Sequence, residues 1–242
     1  MRLTRVYVAA ALETGTRLRL EGSAASHVTR VLRLRVGAAL TLFDGSGGEY
    51  EASIDKAHGG ELTVAVGAHH AIERESPLAL TLVQGISRGE RMDLVVQKAT
   101  ELGVSRLVPV ITERSVVKLD PHQADRKLLH WRAIVIAACE QCGRNRLPEV
   151  LAPLTLREFL RGEAAGGTRL LLSPHAARGL DELTRAAAVT VLIGPEGGLS
   201  EAEQEAATQA GFEAVRLGPR ILRTETAALS ALALLQRQWG DL

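Results

Sequence analysis

Aromatic residues are scarce in this chain, with two tryptophans, two tyrosines and three phenylalanines in 242 positions. A surface that grips single-stranded nucleic acid chiefly by stacking bases on rings needs more of them, so the composition argues against that class and leaves an aliphatic core. Cysteine is scarcer still. Cys139 and Cys142 cannot staple a chain of this size, which points to a reducing, cytoplasmic setting. No apolar run approaches the roughly 20 residues that span a bilayer, and the apolar stretch in the N-terminal "MRLTRVYVAAALETG" is too short for a secretory signal, so no membrane partner is expected. Three motifs are also missing. Without GxxxxGK[ST] a Walker-type hydrolase is poorly supported, without GxGxxG opening a helix a dinucleotide fold is disfavoured, and without GxSxG there is no serine-hydrolase elbow.

Charge of one sign does not dominate either, the formal net being +1. Its distribution is uneven. Residues 1–35 hold seven arginines against Glu13 and Glu21; residues 126–146 hold Arg126, Lys127, Arg132, Arg144 and Arg146 against Glu140; residues 195–213 hold five glutamates and no Lys or Arg. Two basic regions set apart from an acidic one suit a phosphate backbone bound on one side, and equally suit ordinary solvated faces.

What is present falls into two patterns. Up to about residue 70, short runs ("RVYVAA", "RLRLEG", "ALTLFDG", "EYEASI", "ELTVAVGA") alternate apolar and polar residues between Gly, Asp and Ser turns, as half-buried strands do. One helix is expected among them, in "SAASHVTRVLRLRVG", where Val28, Val31 and Leu32 share a face. The whole is the size of a small barrel. "AIERESP", Ala71 to Pro77, has no apolar period and reads as a linker. Beyond Pro77 the continuous runs "LALTLVQG", "RLVPVI", "TRLLLS" and "AVTVLIG", with "EAVRLG", fit buried parallel strands. Helices lie between them: "GERMDLVVQKATELG" keeps Met92, Val95, Val96, Ala99 and Leu102 on one face, and Ser200 with Glu203 is a capping-box pair. The second part is therefore an α/β domain.

Three loops leave the carboxyl ends of those strands, where open α/β sheets bind ligands: "LLLSPHA", "LIGPEGGLS" and "LGPRILRTETA". Gly194, Gly197 and Gly198 let a backbone approach a ligand, and Pro195 stiffens the turn. One glycine would suffice for a plain strand-to-helix turn. Glu201 and Glu203 open the following helix and would repel a phosphate there, so a ligand without phosphate is favoured at that point. "CEQCGR" could be a redox pair or half of a zinc site, but no second ligand pair with suitable spacing accompanies it; helix packing for the cysteines is the better reading and no metal is expected.

Taken in order, "HVTRVLRLRVG", "LFDGSGGEYEA", "ISRGERMDLVVQKATELGV", "ITERSVV", "ACEQCGRNRLPEV", "IGPEGGLSEAE" and "LGPRILRTETAALSAL" resemble the RsmE family of 16S ribosomal RNA uridine N3-methyltransferases, within the SPOUT superfamily of knotted S-adenosylmethionine enzymes. The resemblance implies a PUA-like RNA-binding β-barrel over residues 1–72 and an α/β SPOUT domain with a deep trefoil knot over residues 73–242. It implies S-adenosylmethionine as cofactor, held by Leu172, Ser173, Gly194, Pro195, Glu196, Gly197, Leu217, Gly218, Ile221, Leu222 and Thr226. It further implies 16S ribosomal RNA or the small ribosomal subunit as partner, and a homodimer. Two positions depart from the family's usual pattern, Arg88 standing where Lys is common and Cys142 where Ser is common.

For the implied reaction, N3 of uridine must lose its proton, so the site needs a proton acceptor or cationic groups that stabilise charge on the base carbonyls. Arg223 with Arg88 or Arg91 is expected to orient phosphate or stabilise that charge, with Glu196 or Glu225 assisting. Arg2, Arg5, His27, Arg30, Arg33 and Arg144 are the expected RNA contacts. Two other readings stay open, a transfer-RNA methyltransferase of the same superfamily and a non-catalytic RNA-binding assembly factor.

Overall fold

Alternating apolar residues at the start of the chain fold as a mostly antiparallel sheet, and the continuous apolar runs after Pro77 fold as a parallel one. The computed structural model describes residues 4–26, 28–29, 33–58, 61–115, 120–162 and 166–242. It divides into two units, Met1–Glu75 with Cys139–Leu147, and Ser76–Ala138 with Pro148–Leu242.

In the first unit, strands β1 (Thr4–Tyr7), β2 (Arg17–Leu20), β3 (Ala39–Phe43), β4 (Glu49–His58) and β5 (Glu61–His70) form one sheet in the order β1-β3-β4-β5-β2. The β1–β3 pair is parallel and the others are antiparallel. In β5 the residues Leu62, Val64 and Val66 are buried at period two, and they meet Leu40, Leu42 and Ile54 in one aliphatic core. The expected N-terminal helix is short among the described residues: α1 covers Gly22–Ser26, while Val31 and Leu32 lie outside them.

Residues 139–147 complete this unit. Tyr7 N–H donates to Glu140 Oε1 at 3.0 Å, and Asn145 Nδ2 donates to the Ile72 carbonyl at 2.5 Å. The Arg5 guanidinium donates to Glu49, to Asn145 Oδ1 and to the Arg144 carbonyl. Arg144, only 4% exposed, donates in turn to both oxygens of Glu75. The stretch read as a linker does lack regular structure, yet Glu73, Arg74 and Glu75 are all engaged within the first unit, with Arg146, Glu49 and Arg144. Cys139 is buried, and its hydrogen bond with Cys142 together with burial pushes its thiol far up from the ordinary range, the behaviour of a packed rather than a reactive cysteine.

The second unit is built on a parallel sheet of β6 (Ala79–Gly85), β7 (Arg106–Ile111), β8 (Glu149–Val150), β9 (Leu154–Thr155), β10 (Thr168–Leu172), β11 (Ala188–Ile193) and β12 (Glu213–Val215). The order is β12-β10-β11-β6-β7-β8, with β9 also pairing β7. Helices α2 (Glu90–Glu101), α3 (Pro121–Cys142), α4 (Leu156–Arg161), α5 (Glu201–Gln209) and α6 (Thr224–Trp239) connect or follow the strands. On α2, Met92, Val95, Val96 and Ala99 are buried, and Gly103 follows the last turn at φ 79°. The expected capping box of α5 forms, Ser200 Oγ accepting from Glu203 N–H and Glu203 from Ser200 N–H. From β6 the chain proceeds to β7 and β8 on one side, whereas β11, β10 and β12 lie on the other, so the direction of winding reverses between β6 and β11. Ligand sites in open α/β sheets gather beside such a reversal, at the carboxyl ends of the strands. Among the described residues no helix is long and apolar enough to cross a membrane.

Candidate functional site

The loops after β10, β11 and β12 enclose a cavity of about 680 Å³. Its floor is aliphatic, with Leu171, Leu172, Ile193, Val215 and Leu222, and one wall is the backbone of Gly194–Leu199. That wall is fixed from several directions. Gly198 N–H closes a turn on the Pro195 carbonyl at 2.9 Å. Gly85, on β6, must be glycine, because a Cβ there would sit 2.5 Å from the nitrogen of Pro195 and 2.6 Å from its Cδ. Thr224, the first residue of α6, donates from Oγ1 to the Gly194 carbonyl at 2.7 Å and accepts from buried Gln84 Nε2 at 2.9 Å. Strand β6, the glycine loop and the start of α6 are thereby tied through one hydroxyl.

Two arginines brace the same loop. Arg114 Nη1 reaches the carbonyls of Gly197 and Leu199 at 3.3 and 3.4 Å, the long end of hydrogen-bond range. Arg91 Nη1 pairs with Glu196 Oε1 at 2.8 Å, and Arg88 N–H donates to the same oxygen at 3.1 Å. Burial pushes the Glu196 carboxyl up, but its own backbone N–H, that of Arg88 and the Arg91 guanidinium outweigh this and hold it below its usual range. Glu196 is therefore a persistent anion and a weak proton acceptor. The loop after β10 is pinned by Arg216, whose Nη1 donates to the carbonyls of Ala176 and Ala177 at 3.0 and 2.6 Å, next to cavity-lining His175.

Of the residues expected at a cofactor site, Leu172, Ser173, Gly194, Pro195, Glu196, Gly197, Leu217, Gly218, Ile221 and Leu222 line this cavity. Thr226 does not; it is exposed on the first turn of α6, and Thr224 is the threonine at the wall. Arg223, Arg91, Glu196 and Glu225 line the cavity as well, whereas Arg88 does not and is linked to it only by its backbone N–H bond to Glu196. The residues expected to meet RNA are dispersed differently. Arg5 and Arg144 point into the carboxylate network of the first unit rather than onto an open basic face. Arg33 is exposed, at φ 52°, while Arg2, His27 and Arg30 lie outside the described residues. Arg114, His175, Gln204, Arg220 and Thr224 were not singled out by residue chemistry in the sequence, although Arg114, His175, Arg220 and Thr224 stand within motifs quoted there.

The cavity can accept a mostly apolar organic ligand with polar edges facing backbone groups, and its rim can meet an anion. A parallel sheet with such loops, in a chain that also carries a β-rich unit, is matched by a class of RNA-modifying enzymes. A family model described as an RNA methyltransferase domain matches residues 74–236, and one described as an RNA methyltransferase PUA domain matches residues 20–66. The ribosomal RNA small subunit methyltransferase E of Buchnera aphidicola (subsp. Schizaphis graminum) is 34% identical, covering 100% of this chain and 98% of that protein. A methyltransferase of Legionella pneumophila, solved with the bound cofactor SAM, is 42% identical with a TM-score of 0.97 over 100% of both chains. The Neisseria gonorrhoeae ribosomal RNA small subunit methyltransferase E, bound to S-adenosyl methionine, is 40% identical with a TM-score of 0.92, again over 100% of both. The chain belongs to the ribosomal RNA small subunit methyltransferase E family.

Proposed function

We propose that this protein is an S-adenosylmethionine-dependent methyltransferase that modifies N3 of a uridine in 16S ribosomal RNA, in the cytoplasm and as a homodimer. The observation that carries the reading is the cavity itself, because its glycine wall and aliphatic floor occur in a chain whose Legionella and Neisseria relatives hold this cofactor. The residues fit the group. The floor suits an adenine ring, backbone groups of Gly194–Leu199 and Leu217–Gly218 can take its polar edges, and the glutamates opening α5 disfavour a phosphate where this cofactor has none. Leu172, Ser173, Gly194–Gly197, Leu217, Gly218, Ile221 and Leu222 would hold it, with Thr226 close by in sequence. When bound, the cofactor supplies an already activated methyl group, so orientation accounts for much of the rate.

The chain's own residues then have separable tasks. Arg223 presents a guanidinium at the cavity, suited to stabilise negative charge on a base carbonyl as N3 gives up its proton. Glu196, held as an anion, ties Arg91 and the Arg88 backbone to the glycine loop rather than taking that proton. Glu225 lines the same cavity and is the remaining carboxylate there. Because base pairing covers N3, the uridine must be unpaired or extruded when it reacts. The β-rich unit, taken as a PUA-like barrel over residues 1–72, would hold the RNA, and residues 73–242 would carry the chemistry. A trefoil knot in the second part is proposed on the family resemblance, and the segment that would thread it is the last of the chain. It runs from edge strand β12 through Leu217–Arg223 to α6, which packs over the central strands β6 and β11 and on α2.

The test is incubation with labelled S-adenosylmethionine and small ribosomal subunits from cells lacking the endogenous activity, followed by mass-spectrometric mapping of the modified nucleotide. A single N3-methyluridine in 16S RNA is expected. Label in transfer RNA alone, or cofactor binding without transfer to any RNA, would overturn the assignment.

A further inference from the structure

Four arginines line the cavity, and the structure divides them into two pairs. Arg91 and Arg114 are committed to the protein, the first to Glu196 and the second to the carbonyls of Gly197 and Leu199. Arg220 and Arg223 are not: among the described residues neither guanidinium has a hydrogen bond or an ion pair. Arg223 caps α6 and lies beside the anchored Thr224, whereas Arg220 stands three residues earlier, in the exposed run Pro219-Arg220-Ile221. That run is held at both ends. Val215 accepts from Ser173 N–H at 2.9 Å on one side, and Thr224 is fixed to Gly194 and Gln84 on the other, so Arg220 projects from a short span between two fixed points.

The cofactor of the proposed reaction carries a sulfonium and an ammonium against one carboxylate, a net positive charge. Two uncommitted guanidiniums at its cavity are poorly matched to such a ligand and well matched to a polyanion, since like charges repel and a guanidinium offers paired donors to a phosphate. Only one is needed near the base. We infer that Arg220 is the phosphate-binding residue of the active site, gripping the RNA backbone next to the target nucleotide. The inference rests on the methyltransferase reading above and assigns a strand-positioning contact within that site. Arg220 positions the strand by its phosphate and Arg223 acts on the base, so removing one should weaken RNA binding and removing the other should slow transfer.

Arg220→Ala and Arg220→Lys in the full chain test this through three measurements. They are calorimetric affinity for S-adenosylmethionine, affinity for a fluorescein-labelled single-stranded RNA across a KCl series, and kcat and KM on unmethylated small subunits. For Arg220→Ala the expected result is unchanged cofactor affinity, a KM for subunits about tenfold higher with kcat nearly kept, and RNA affinity lower by a similar factor. The slope of log affinity against log salt should become shallower by about 0.7, the loss of one phosphate contact on a single strand. Arg220→Lys should restore the slope. Cofactor affinity that falls in step with activity would overturn the inference and give the guanidinium to the cofactor carboxylate; an unchanged salt slope would overturn it too. Because the salt slope is read from binding, it remains decisive if the wild-type protein fails to methylate subunits, a failure that would count against the proposed reaction alone.

Discussion

Glu196 and Arg223 are both charged groups at one cavity, yet their surroundings assign them opposite kinds of work. The carboxylate is held in its ionised form by the Arg88 N–H and Arg91, so it stabilises the folded loop only while deprotonated. Its pKa is lowered on folding; the stabilisation is complete above the ordinary value of 4.5 and is lost as the pH falls through the lowered one. Glu196→Gln should therefore melt below wild type at pH 7, with the gap closing as the pH drops below about 4.5; a gap that stays constant to pH 3.5 would mean the charge is not what matters. Arg223, by contrast, has no side-chain hydrogen bond or ion pair among the described residues. Arg223→Ala should lower kcat about a hundredfold, the scale of losing one charge-stabilising donor, and leave cofactor affinity within about twofold in calorimetry.

At the level of elements, the two threonines that open α6 separate what pattern can tell from what only contacts can. Thr224 is buried and bridges Gln84 to the Gly194 carbonyl; Thr226, two positions on, is exposed. Thr224→Val should cost about 1–3 kcal/mol in denaturant unfolding and weaken cofactor binding, because it removes the donor to the half-buried Gly194 carbonyl and leaves the buried Gln84 amide only its bond to the Gly85 carbonyl. Thr226→Val should stay within about 0.5 kcal/mol. Equal effects at both positions would contradict the placement of the wall. The sequence singles out Thr226 through family resemblance, and nothing in the spacing of "RTETA" says which hydroxyl turns inward. Strands β6, β7, β10 and β11 were legible because a strand covered on both faces reads as an unbroken apolar run. The capping box of α5 was legible because it is local. Helix α3 was legible only at its Cys139–Cys142 end, since "PHQADRK" opens it with polar residues and masks the apolar face that Trp131, Val135 and Ala138 bury further on. The two-residue strands β8 and β9 are too short to carry any period. The Arg114 brace spans 83 and 85 positions to its two carbonyls, and no local pattern encodes such a contact.

For the molecule as a whole, the informative feature is that the first unit is not a continuous stretch of chain. Its sheet comes from residues before Glu75, but Glu140, Arg144 and Asn145 are supplied by a segment some seventy positions later. Two basic residues of that segment, alike in the sequence, sit in different physical settings: the side chain of Arg144 is 5% exposed against Glu75, and that of Arg146 is 55% exposed against Glu73. Breaking an interior ion pair leaves a desolvated charge with fewer partners, whereas a solvated pair is largely screened. Glu75→Ala should therefore cost about 3 kcal/mol in urea unfolding and Arg146→Ala less than about 1 kcal/mol. A fragment ending at Glu75 lacks every contact from residues 139–147, so it should show no cooperative thermal transition under conditions where the full chain does. Such a fragment melting cooperatively, together with a small effect of Glu75→Ala, would mean that the early strands suffice and the later segment only decorates them. The opposite pair of results would make "CEQCGRN", a stretch that invites a metal or redox reading, a structural clasp of the RNA-binding unit.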